Sequence, residues 1–118
     1  MEKIKLLSQD YQEMSRVACE DFHLVLAEYK EKAINPAWLL SREDIQAEIA
    51  HKMTDDYIYG NSTHPIIQEM AEDAGTKDWT DEDEEIWNYN CELIYIAMRA
   101  FLAKHIQNTK TFQGYNNA

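Results

Sequence analysis

A chain of 118 residues is long enough for one domain with a modest core. Its formal net charge of −11 excludes tight direct binding to nucleic acid or to an anionic membrane, because both are polyanions. Leu, Ile, Val and Phe number only 24, few for so charged a chain, but five Met, seven Tyr and three Trp bring the apolar supply to a level that supports a fold.

Cys19 and Cys91 have neither metal-binding spacing nor the numbers for a disulfide framework. No N-terminal run has the pattern of a signal peptide, and no apolar run approaches the length of a membrane span. Free thiols in a reducing cytoplasm are expected, that of the host cell if the chain is phage-encoded.

Glycine occurs only at 60, 75 and 114 and proline only at 36 and 65, which leaves long uninterrupted segments. The first helix is expected over Ser8 to Ala33, where Tyr11, Met14, Ala18, Phe22, Val25, Leu26 and Tyr29 recur at three- and four-residue steps. Pro36 in "INPAW" ends it. The second is expected to be capped by Ser41 with Asp44 three residues on, to carry Ile45, Ile49, Met53 and Tyr57 inward, and to stop at Gly60. The third is short: Thr63 caps it, Pro65 lies in its first turn, Ile66, Ile67, Met70, Ala71 and Ala74 form its apolar face, and Gly75 ends it. The fourth starts at Thr80 and carries Ile86, Leu93, Ile94, Ala97, Met98, Phe101 and Leu102 toward Ile106. No stretch has a period of two. The sequence therefore predicts an all-α fold, a bundle of about four helices in a single domain over residues 1–108, with a mobile tail over 109–118.

Charge is distributed unevenly. In "DWTDEDEEIW", residues 78–87, six of ten residues are acidic. A helix start accounts for some of them, since carboxylates in the first turn meet unpaired backbone N–H groups, but each contributes only about 0.3–1 kcal/mol. From Glu43 to Glu85 there are 14 acidic residues against Lys52 and Lys77, a net of −12, while the rest of the chain nets +1. Such segregation points to an interaction surface. Its candidate residues are Glu43, Asp44, Glu48, Asp55, Asp56, Glu69, Glu72, Asp73, Asp78, Asp81, Glu82, Asp83, Glu84 and Glu85. Trp79, inside the acidic run, is the expected exposed aromatic anchor. Carboxylates three or four apart on a helix are roughly 5–6 Å apart. Phosphates along a DNA strand are spaced on a similar scale, so rows of such carboxylates can imitate a nucleic-acid backbone.

The texture of "SREDIQAEIAHKMTDDYIYGNSTHPIIQEMAEDAG", residues 41–75, resembles the central part of the phage antirestriction proteins of the Ocr type. It shares an acidic helix start, isoleucines at four-residue steps and a short following helix. The resemblance implies a DNA mimic that occupies the DNA-binding groove of a restriction enzyme. The chain departs from that family in having no acidic C-terminal tail. Acidic anti-CRISPR inhibitors share the same logic by analogy only, without shared sequence.

Other chemistries are weaker. The pairs Glu20/His23 and Glu48/His51 have the Glu-x-x-His spacing of di-metal carboxylate proteins, but at about 100° per residue they face away from the apolar stripes. The acids at 78–85 lack the glycine of an EF-hand loop, and no P-loop, dinucleotide turn or activated nucleophile is present. The expected protein is a non-enzymatic inhibitor without cofactor or metal. Its expected partner is a basic nucleic-acid-binding protein, such as a restriction enzyme or CRISPR effector. A helical adaptor docking a basic protein surface is the alternative, and a di-metal carboxylate protein the second. The Met- and Tyr-rich faces could also support a homodimer.

Overall fold

The computed structural model describes residues 1–75 and 78–116, with side chains as far as Thr109. It is all-α, with no strand among the described residues. The elements are α1 (Ser8–Glu31), α2 (Pro36–Leu40), α3 (Glu43–Asp56) continuing into a π turn (Tyr57–Asn61), α4 (Pro65–Asp73) and α5 (Asp81–Asn116).

Local polar chemistry sets most boundaries. Asp10 accepts the Leu7 N–H at 2.8 Å and so closes the start of α1. The helix ends at Glu31, two residues before the expected Ala33. Ala33 adopts a left-handed φ of 56°, and the Ile34 N–H turns back to the Tyr29 carbonyl at 2.8 Å. "INPAW" does more than stop α1. The Asn35 side-chain oxygen accepts the Ala37 N–H at 3.0 Å, and Pro36 occupies the first helical position, so the same residues start the unforeseen α2.

Two expected caps are corrected. Ser41 does not cap α3: its hydroxyl donates to the Trp38 carbonyl at 2.6 Å, and Arg42 takes the cap position. Asp44 is held by the Arg42 guanidinium at 3.1 and 2.7 Å and forms no capping box with Ser41. Thr63 does not cap α4 either, because Glu13 of α1 takes both its N–H and its hydroxyl. Burial opposes the Glu13 carboxylate, but these bonds outweigh it and hold its pKa below the usual carboxylate value. The cap falls to His64, whose Nδ1 accepts the Ile66 N–H at 3.2 Å. The expected stop at Gly75 stands, with φ at 74° just beyond α4. At α5 the expected cap is present and reciprocal: Thr80 Oγ1 accepts the Asp83 N–H at 3.1 Å, and Asp83 accepts the Thr80 N–H at 3.3 Å.

Gly60 does not stop the second helix but sits inside the π turn, which ends with Asn61 Nδ2 donating to the Asp56 carbonyl at 2.7 Å. The wider turn brings the consecutive residues Tyr57 and Ile58 both into the core. The backbone of α5 stays helical to Asn116, past the boundary expected at residue 108, and residues 117–118 of the expected tail lie outside the described residues.

Three helices carry the bundle. α1 and α3 are antiparallel, with Val25 and Tyr29 sharing a groove with Ile49 and Ile45. α3 and α5 are also antiparallel: Glu43 meets Arg99 at one end, His51 stacks on Tyr95 at 4.4 Å, and Asp55 and Cys91 line one groove farther along. Phe22 of α1 stacks on His105 of α5 at 5.1 Å. Met14, Met53 and Met98 are fully buried among Val17, Ala18, Ile94 and Leu102, where flexible thioethers fill irregular gaps between helices. Leu40 is buried in α2 at one end, and Ile67, Met70, Tyr57 and Ile58 at the other. Tyr11, expected on the apolar stripe of α1, is instead exposed. The whole measures 55 × 27 × 20 Å, and the 36 residues of α5, at about 1.5 Å each, match the long dimension.

The N-terminal segment is fastened to α5 through Asn90, which is 0% exposed. Its side-chain oxygen accepts the Ile4 N–H at 2.9 Å, its amide donates to the Glu2 carbonyl at 2.9 Å, and it also lies 3.5 Å from Met70 Sδ of α4. Asn90→Ala would leave the buried Ile4 N–H without a partner. It should lower stability by about 2–3 kcal/mol in urea denaturation and speed exchange of the Ile4 amide. A loss under about 0.5 kcal/mol would show that the clamp is not structural.

Candidate functional site

The acidic window divides into two populations when folded. On the outward ridge of α3, Asp44, Glu48 and Asp55 are exposed, with buried Ile49, Ala50 and Met53 behind them. At the start of this ridge the charge is matched. Glu43 pairs with Arg99 of α5, and Asp44 pairs with Arg42, which holds its carboxyl below the usual range. Asp56 is half-buried and pairs with Lys52 at 2.9 Å. Exposed pairs such as Arg42–Asp44 add little stability, but with Arg99–Glu43 they remove net charge from the α2 end of the surface, while Lys52–Asp56 removes it at the far end of α3.

Toward the other end the carboxylates stand clear. Glu48, Asp55, Glu69, Asp78, Asp81, Glu82, Glu84 and Glu85 are all exposed and make no ion pair among the described residues. Glu72 is exposed and Asp73 half-buried. Asp83 is set apart, because its carboxylate is engaged in the α5 cap. Asp81, Glu82 and Glu84 share the first turn with Asp83, where the helix dipole favours them, while Glu85 lies beyond it.

A shallow groove joins the α3 ridge to α5. His51, Thr54 and Asp55 form one wall, and Asn88, Cys91, Glu92 and Tyr95 the other. Asn88 lies one turn beyond Glu84 and Glu85, so the groove leads into the acidic turns of α5. Tyr59 continues the surface from Asp55, whose charge acts on its hydroxyl, to a second hollow shared with Gln68 and Glu72 of α4. Burial, with a smaller effect of Asp55, pushes the Cys91 thiol up to about 11, so it is no nucleophile at neutral pH. Lys3 lies over the Tyr89 ring at 4.7 Å, a cation beside the acidic turns.

The expectation for Trp79 is corrected. It is half-buried, with its ring 4.7 Å from that of Trp87 and tilted at 45°. The pair braces the entry to α5, and Trp79 is not a free-standing anchor. Among the described residues, the large exposed aromatics are instead Trp38, Tyr59, Tyr89 and Tyr11. Trp38 carries the Arg42 guanidinium over its ring at 5.5 Å.

Sequence reasoning missed Glu92, exposed on the groove wall outside the acidic window. It also missed the polar side chains the fold buries: Asp10, Asp21, Thr54 and Asn90. A carboxylate one residue from the centre of an apolar stripe, as Asp21 is beside Phe22, was the available signal.

The two Glu-x-x-His pairs face outward. Glu20 pairs with Arg16, the exposed His23 ring meets the Cys19 carbonyl at 2.7 Å, and His51 stacks on Tyr95. Among the described residues, no three His, Cys, Asp or Glu side chains converge closely enough to hold a metal ion.

Tyr57, fully buried at the π turn, is an energetic liability. Its hydroxyl meets no hydrogen-bond partner in good geometry, and burial pushes its pKa up to about 12 against the opposing effect of the nearby Ser62 hydroxyl. Tyr57→Phe is expected to leave stability unchanged or raise it by about 0.5–1 kcal/mol in thermal or urea unfolding. A loss beyond about 1 kcal/mol would show that the hydroxyl is satisfied in solution. No protein-family model, curated protein or solved structure matches this chain.

Proposed function

We propose that this chain is an acidic inhibitor that occupies the basic groove of a DNA- or RNA-binding protein, such as a host defence enzyme. The observation that carries this reading is the set of exposed carboxylates without ion-pair partners among the described residues, running from Glu48 and Asp55 on α3 to Asp81, Glu82, Glu84 and Glu85 on α5. Glu48 and Asp55 lie on one ridge two helical turns apart, about 10 Å. Neighbours at three- and four-residue steps on α5, such as Asp81 and Glu84 or Glu85, lie about 5–6 Å apart, on the scale of successive phosphates. The helices hold these charges in place before any partner arrives, which lowers the ordering cost of binding. Inhibition requires only occlusion: carboxylates take the Lys and Arg contacts that nucleic acid would make, and Glu92 extends the row along the groove wall.

The matched charges trim the surface that the sequence suggested. Glu43 and Asp44 have cations at hand at the α2 end and Asp56 has Lys52 at the other, so the working face in this reading is the remaining set around Glu48, Asp55 and the start of α5. Steering by this face should give fast association that weakens as salt rises.

The test is capture from nuclease-treated host lysate at low salt on the immobilised protein, with and without excess duplex DNA or single-stranded RNA. The captured protein's own nucleic-acid binding is then measured against this chain in solution. Displacement by nucleic acid and mutual competition are the expected results. The triple variant E82Q/E84Q/E85Q, which leaves the Asp83 cap intact, should weaken capture about tenfold or more at low salt, with a shallower salt dependence. A partner that ignores both competitors would make the acidic face an ordinary docking surface for a basic protein and sink the mimic reading.

A further inference from the structure

The seam between α1 and α3 holds a carboxyl pair that the acidic surface does not need. Asp21, in the middle of α1, is 6% exposed. Its Oδ1 lies 3.6 Å from Lys52 Nζ, and its Oδ2 is buried with no hydrogen-bond partner. The same Lys52 ammonium lies 2.9 Å from Asp56 Oδ2, so one cation bridges two carboxyls from facing helices. One positive charge cannot neutralise two carboxylates, and an orphaned buried carboxylate oxygen carries a desolvation cost that a proton removes.

We infer that Asp21, Asp56 and Lys52 form a proton-linked clamp across the α1–α3 seam, which holds one proton between the two carboxyls in mildly acidic solution and releases it toward neutrality. When protonated, Asp21 becomes a donor to Asp56, and the cluster changes from a net charge of −1 to zero. The directions of titration agree with this arrangement. Burial first, then the hydrogen bond and charge of Asp56, push Asp21 up to about 6 against the opposing effect of Lys52. Burial opposes Asp56, but Asp21 and Lys52 outweigh it and hold its carboxyl down. The pair titrates as a unit, with Asp21 the site that binds the proton in the upper range.

Other charges border the cluster: on α3, Glu48 lines the same groove as Lys52, together with Glu28 and Tyr29 of α1. On α1, the Glu28 charge reaches Lys52 but is matched by Lys32 at 2.7 Å. In the π turn, the Tyr57 hydroxyl feels Asp10 and Glu13. On α5, His105 stacks on Phe22 and interacts with His23.

The sign of the linkage is fixed. Asp21 binds its proton more tightly folded than unfolded, so its contribution to stability is complete below about 3.8 and is lost as pH rises through about 6. Asp56 works in the opposite sense at lower pH, as its depressed carboxyl becomes protonated.

The experiment is a carboxyl-carbon NMR titration of Asp21 in the wild-type protein, Asp56→Asn and Lys52→Met. A wild-type midpoint near 6 is expected, falling in D56N and rising in K52M. A midpoint in the ordinary range near 3.8, or one that neither substitution moves in these directions, would overturn the clamp. Unfolding of Asp21→Asn supplies an independent readout. Relative to wild type, its folding equilibrium should gain up to about a hundredfold between roughly pH 4 and 7. A constant difference between the two proteins across that range would also overturn it.

Discussion

Asn90 ties the acidic end of the protein to the rest of it. The first turns of α5 are crowded with carboxylates that repel one another even though the helix dipole favours each, and the helix has an anchor to the rest of the chain. One buried carboxamide supplies it by taking the Ile4 N–H, donating to the Glu2 carbonyl and resting on Met70. The Thr80–Asp83 cap and the Trp79–Trp87 contact add local support. A carboxamide suits the position because it can donate and accept while carrying no charge, so it satisfies two backbone groups in an apolar setting without the desolvation cost of an ion.

The electrostatic organisation follows from which charges the fold matches. Arg42 and Arg99 lie outside the acidic window and reach back to Asp44 and Glu43. Lys52 lies within the window, but Asp56 and the buried Asp21 engage it. What remains unmatched among the described residues is concentrated along Glu48, Asp55 and the start of α5. An excess that the sequence confines to residues 43–85 is thus divided between matched and unmatched carboxylates. Repulsion within the unmatched set costs stability. The core of α1, α3 and α5 offsets that cost through burial of Met14, Met53, Met98, Ile94 and Leu102.

Burial of polar groups distinguishes the two seams. Between α3 and α5, His51 and Tyr95 stack and Arg99 spans to Glu43 and Gln46, so the contacts there are half-exposed and satisfied. Between α1 and α3, Asp21 is enclosed with an oxygen unpaired. A seam of the second kind is sensitive to protonation, because adding one hydrogen both removes a like-charge contact and creates a donor.

The four longer helices were legible from periodicity and from the scarcity of Gly and Pro, whereas the five-residue α2 was not. Met14, Ala18, Phe22 and Val25, then Ile49, Met53 and Tyr57, then Ile94, Met98, Leu102 and Ile106, are buried where a 3.6-residue repeat places them. The Thr80 start of α5 and the Gly75 end of α4 were legible because the groups that form them are adjacent in sequence. Ser41 and Thr63 had the right chemistry and spacing for caps but were diverted, Ser41 by the short helix behind it and Thr63 by Glu13 fifty residues away. The charge excess was determined by the sequence alone. Which carboxylates remain unmatched, that Trp79 leans on Trp87, and that Asp21 faces Lys52 were decided by tertiary structure. Those contacts join residues on different elements, and a helical repeat records only which face a residue occupies, not what lies opposite.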